Sequence, residues 1–182
     1  MNSERFSLKA FPGEETGPVL AITGTIGRRA NNLSLGISLL GNLSELSIPA
    51  PGEFPRRMDR LWEETCLEFF LGEEGSERYW EFNLSPAGHW NVYRFASYRK
   101  AMREEPAFAS LPFRVRTEPE ALRLSLDVDL GKIIPAERTI EVAVSAVVKT
   151  ASGDTSHFAL VHPGPRPDFH RRDGFALNLP AG

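Results

Sequence analysis

The chain has 182 residues, 41% of them hydrophobic, which suits one domain that buries roughly 70% of its unfolded surface and folds without metal or disulfide. Its formal charge of −3, with 21 Lys and Arg scattered along the sequence, gives no basic field to draw a phosphate backbone, so nucleic acid is not an expected partner. No stretch approaches the ~20 apolar residues of a membrane span, the first residues lack a leader's basic-then-apolar run, and the single Cys66 lies in an apolar pattern; the expectation is a reduced, cytoplasmic protein that does not enter a membrane.

Along the chain, short runs of β-branched and large apolar residues alternate with Gly, Pro and Asn clusters, and helical periodicity is rarely sustained. Strands are predicted at 5–11, 19–28, 32–40, 44–48, 65–71, 78–84, 90–95, 113–117, 121–130, 139–148, 154–160 and 174–179. The clearest is Leu122 to Leu130, where every second residue is Leu or Val and the intervening ones are Arg, Ser or Asp, as on a sheet with one wet face. Ile140 to Val148 is apolar on one parity and small or mixed on the other, as expected of a strand covered on both sides. This pattern predicts an all-β fold, a two-sheet antiparallel β-sandwich of jelly-roll-like type with long loops and at most one short helix. The helix is expected near Tyr98 to Glu104, and long loops at 49–60, 97–112 and 162–173. Such loops are often functional.

Chemistry concentrates between residues 61 and 95. Parity sets Trp80, Phe82 and Leu84 on one side of their strand and Tyr79, Glu81 and Asn83 on the other, while Glu68 opposes Leu67 and Phe69. If these strands pair, Glu68, Glu81 and Asn83 share one sheet face and offer acceptors and an amide donor to a hydroxyl-rich ligand. Trp62 or Trp90 supplies an aromatic plate for the C–H faces of a sugar. Against this, Trp80 shares its parity with Phe82 and reads as core. Trp90 leans the same way, and Trp62, at a loop-to-strand junction, stays open between the two roles. The late loop carries His162, Asp168 and His170 among three prolines and forms a candidate lid. With His157 it contains metal-ligand types, although their spacings match no standard zinc pattern. Glu64 and Glu68 form a candidate glycosidase acid pair, but no nucleophile elbow, phosphate loop or dinucleotide fingerprint occurs.

The block Leu61-Trp62-Glu63-Glu64-Thr65-Cys66-Leu67-Glu68-Phe69-Phe70-Leu71, the segment from Tyr79 to Met102 and the tail from Ser145 to His170 resemble the DOMON-like domain proteins, bacterial β-sandwiches related to the family-nine carbohydrate-binding modules. The resemblance implies a non-catalytic module in a superfamily that binds sugars or haem. For a sugar, Trp62 is the best match to the gripping aromatic, and Glu64, Glu68 and Arg94 are looser matches to the hydrogen-bonding groups. For haem, with methionine and histidine or lysine as axial ligands, the chain has only Met58 and Met102 beyond its start, both in predicted loops. The expected ligand is a small sugar or oligosaccharide, with no cofactor. The site set comprises Trp62, Glu64, Glu68, Glu81, Asn83 and Arg94 with the lid residues His162, Asp168 and His170. A haem-binding electron-transfer domain and a glycoside-processing enzyme are the alternatives.

Overall fold

A computed structural model describes residues 2–181, and among these the regular elements are strands and three single 3-10 turns. The strands are β1 (Asn2–Ala10), β2 (Val19–Arg29), β3 (Asn32–Gly41), β4 (Cys66–Glu73), β5 (Tyr79–Leu84), β6 (Trp90–Phe95), β7 (Arg103–Glu104), β8 (Phe113–Glu118), β9 (Ala121–Asp129), β10 (Ile140–Lys149), β11 (Thr155–Ala159) and β12 (Leu177–Leu179). All strand pairs are antiparallel, in the order β7-β6-β5-β4-β10-β11-β1-β2-β3-β9-β8, with β12 also on β10. No helix among the described residues is long and apolar enough to cross a membrane.

The hydrogen-bonded path is continuous, because β1 belongs to both halves. Its residues up to Leu8 pair with β2, while Lys9 and Ala10 pair with Ala159 and Phe158 of β11. The sheet curls so that the inward parities of the two halves meet in one core. Ile22, Ile26, Leu35 and Ile37 contribute from one side, and Leu67, Phe69, Phe82, Val142 and Val144 from the other. The rings of Phe69 and Phe82 stack at 4.4 Å between centroids.

Burial follows the alternation where the second face is wet. In β9 Leu122, Leu124, Leu126 and Val128 are buried and Arg123, Ser125, Asp127 and Asp129 exposed. In β4 and β5 every residue is buried. The polar parity of these strands is therefore roofed rather than washed by solvent, and β10 is covered on both faces almost throughout.

Three local expectations are corrected. Residues 44–48 form no strand: Asn42 caps a 3-10 turn at Leu43–Glu45 by accepting from Ser44 N (3.2 Å), and only Leu46 bridges, to Thr150. Tyr98 to Glu104 is not helical, since Arg99 and Ala101 take φ of 53° and 54°, left-handed values that break a helix, and Arg103–Glu104 instead pairs with β6. Finally, 174–179 opens on a 3-10 turn at Arg172–Gly174, leaving three residues to strand β12.

Candidate functional site

Register assembles the second face of β10, β4, β5 and β6 into rows. Ser145, Glu68, Asn83 and Asn91 are successive cross-strand partners, and Ala143, Phe70, Glu81, Tyr93 and Glu104 form the row beside them. One side of this face is aromatic: Phe70, Tyr79, Tyr93, Phe95, Ala143 and Phe175 make a second apolar cluster, with Trp62 and Phe169 packed on it. The other side is polar yet almost sealed, with Glu68 2%, Glu81 4% and Asn83 0% exposed.

The roof is the proline-containing loop after β11. His170 places its ring edge-on against Phe70 and Phe95, and its Nδ1 lies 2.8 Å from Tyr79 Oη. Arg172 closes the far end, donating to Glu73 O (3.1 Å) and Arg78 O (3.2 Å) and pairing with Glu141. Gly72 makes this possible, because a Cβ there would collide with the Arg172 guanidinium. On the other flank, the 3-10 turn Leu61–Glu63 carries Trp62, half-buried, its ring edge-on to Tyr93 at 5.9 Å.

Roof and flank leave a cavity of about 310 Å³ between them. Small-molecule sites start near that size, roughly 300–1,000 Å³. Of the residues expected from sequence, Trp62, Glu68, Glu81, Asp168 and His170 line it. Asn83, fully buried, does not line it and donates from Nδ2 to Glu81 Oε1 (2.9 Å). The other three are elsewhere. Glu64 is exposed and bound to Lys149 Nζ (2.9 Å), Arg94 lines a separate groove with Arg78 and Arg103, and His162 Nε2 meets Lys9 O at 2.8 Å. Sequence reasoning gave no cavity role to Arg99, Met102, Val147, Pro167 or Phe169, which complete the lining with His157. Val147 and His157 come together because they are cross-strand partners in the β10–β11 register. Arg99 arrives on a left-handed turn and had no such signal.

Electrostatics separate the floor from the rim. Burial and the neighbouring Glu81 push the Glu68 carboxyl well above the usual range. Glu81 is itself raised by burial to about 7, against the opposing pull of the Asn83 hydrogen bond and the Arg99 charge. At the rim, Asp168 is drawn below its ordinary value, since hydrogen bonds from Tyr98 Oη and from Arg99 (2.9 Å) outweigh its burial. Burial, helped by the Arg99 charge, pushes His170 down to about 4, so its contact with Glu81, 3.7 Å from Nε2, is not an ion pair at neutral pH. Burial also raises Tyr79 to about 12 and, with its bond to Asp59 Oδ1 (2.5 Å), raises Tyr93.

The polar row through Glu68 has a chemical peculiarity. Glu68 Oε1, Asn83 Oδ1 and Ser145 Oγ, three neighbours in one cross-strand row, are buried without a hydrogen-bond partner. Such atoms cost about 1–3 kcal/mol each when left unpaired. No group of three or more His, Cys, Asp or Glu among the described residues is placed to hold a metal ion, and His157 Nδ1 is instead 2.9 Å from Glu14 Oε1.

No protein-family model matches the chain, and no curated protein matches it. Solved structures do. A Bacteroides uniformis ATCC 8492 protein provisionally described as carbohydrate-binding matches with a TM-score of 0.68 at 15% identity, over 94% of this chain and 83% of that one. The two chains share a fold. A family 9 carbohydrate-binding module from Caldicellulosiruptor kristjanssonii, in complex with cellotriose, matches at 0.54 and 10% identity over 89% of this chain and 74% of the module. In its glucose complex the match is 0.50 and 10% over 84% and 72%.

Proposed function

We propose that this protein is a non-catalytic module that binds a small sugar or oligosaccharide in the cavity between Trp62 and the late loop. The observation that carries the reading is the cavity itself, an aromatic flank set over a floor of buried, incompletely hydrogen-bonded polar side chains, on a fold shared with carbohydrate-binding modules. Trp62 stacks on the apolar face of a ring, while Glu68, Glu81, Asp168, Arg99 and His170 bond its hydroxyls. The curled sheet serves as the rigid support, and we read it as a jelly-roll-like sandwich of the DOMON-like type, folded over at β1. Binding without bond cleavage fits the acids present: Glu64 lies at the surface on Lys149, so the pair Glu64 and Glu68 has no common cavity in which to flank a glycosidic bond.

Titration calorimetry against glucose, cello-oligosaccharides and other mono- and disaccharides tests this. Saturable binding is expected, weakened at least about tenfold in Trp62→Ala with an unchanged melting temperature. A folded protein silent to the whole panel, or a Trp62→Ala variant with wild-type affinity, would falsify the reading.

A further inference from the structure

We propose that the sugar taken by this cavity carries a protonated amine, seated over Glu68 and Glu81. The inference rests on the sugar-binding reading above and narrows it to amino sugars.

The charges facing the cavity are Glu68 from β4, Glu81 from β5, Arg99 and Asp168 at the rim, and the histidines His157 and His170. Arg99 and Asp168 bind each other at 2.9 Å, so the arginine that still acts on Glu81 at a distance has its ion pair elsewhere. His157 is engaged by Glu14, and His170, wedged between aromatic rings, stays neutral at pH 7. This leaves two carboxyl groups with no cation of their own, one of them 2% exposed with Oε1 unpartnered. The missing partner also has a definite chemistry. Glu68 Oε1 and Asn83 Oδ1 are acceptors, and Ser145 Oγ can accept as well as donate, so a ligand that brings several donors finds acceptors waiting at this row. An ammonium group supplies three donors, no acceptor and one positive charge. A neutral hydroxyl supplies a single donor and no charge to favour the ionised form of either carboxyl. Trp62, which lines the cavity and rests edge-on against the buried Tyr93, suits the same ligand, since it accepts a ring face beside the cationic group.

Calorimetry at pH 7 with glucosamine, glucose and N-acetylglucosamine decides it. Glucosamine is expected to bind about ten- to a hundredfold more tightly than the other two, as charge-assisted hydrogen bonds to a desolvated carboxylate allow. Repeating the glucosamine titration in two buffers of different ionisation heat is expected to reveal proton release, because the arriving cation expels the proton held by the carboxyl pair. Glu68→Gln and Glu81→Gln are expected to lose the preference while circular dichroism shows them folded. Equal or tighter binding of glucose overturns the amine assignment and leaves the sugar-binding reading standing. Binding of none of the three, where another sugar of the panel binds, also overturns the amine alone; silence to every sugar removes both.

Discussion

Replacing Glu81 by Gln should make the protein more stable in alkali and change little in acid. Burial raises the Glu81 carboxyl from an ordinary 4.5 to about 7. The folded state therefore holds the proton more tightly than the unfolded state does. Below about pH 4.5 both states are protonated and the shift has no effect on stability. As pH rises toward 7 the unfolded chain gives up its proton first, and stability is lost until, above 7, the full difference of about 3 kcal/mol has gone. Glutamine keeps the acceptor for Asn83 Nδ2 and removes the ionisation, so at pH 8 the variant should exceed wild type by about 3 kcal/mol. For a chain of this size that is roughly 6–12 °C in melting temperature. Loss of the Glu81 charge also eases the ionisation of Glu68, which acts in the same direction. Calorimetric or urea unfolding of both proteins at pH 4.5, 6 and 8 measures the difference directly. A stability difference that stays constant across this range would refute the reasoning, because an amide and a carboxyl that differ only in packing have no reason to diverge with pH.

His170 should act on the opposite limb. Its folded value of about 4 lies below the ordinary 6.5, so stability is lost as pH falls from 6.5 toward 4, and His170→Gln should flatten that loss in melts across the range. Phe82→Ala removes a fully buried ring stacked on Phe69, and about 3–5 kcal/mol should disappear from the urea unfolding free energy at every pH. Glu68→Met substitutes an apolar side chain of similar length for a buried carboxyl with an unpartnered oxygen; stability at pH 7 should rise by about 1–3 kcal/mol while sugar affinity falls.

How far the sequence led depended on whether a side chain's role was fixed locally. Alternation in Leu122 to Leu130 required only its own period, and it was legible. The grouping of Glu68, Glu81 and Asn83 also followed from parity once β4 and β5 were taken as neighbours, and Glu68 stands directly opposite Asn83. Arg94 could not be sorted this way: it has the parity of Trp80 and Val92 but lies past the end of the core, where it is exposed. His162 and His170 looked equivalent in one loop. They separate because Lys9 O captures the first, while the second fits between Phe70 and Phe95. The left-handed turn at Arg99 and Ala101, which brings an arginine to the cavity rim, replaces an expected helix, and no glycine marks it. Nor did any local signal indicate that the polar face of β4 and β5 is roofed, since the covering loop is about ninety residues away along the chain.

That roof explains why the carboxyls matter. An exposed Glu on a sheet face costs nothing and means little, whereas burying two of them side by side costs several kcal/mol. A core residue such as Leu would be expected there if support of the fold were the only requirement, because Phe70 on the same face already packs against the loop through its ring alone. The chain keeps Glu68 at the cavity, and Asn83 and Ser145 next to it in the same cross-strand row, with free hydrogen-bonding capacity. Three of the four buried side-chain atoms without a partner among the described residues share this one row, the fourth being Asn31 Oδ1 at the β2–β3 turn, and such a concentration of cost beside a cavity is the pattern expected of a binding site rather than a scaffold. The gain from Glu68→Met and its loss of affinity are thus two readings of one trade, and a variant that gained stability with its sugar affinity intact would separate the carboxyl from recognition altogether.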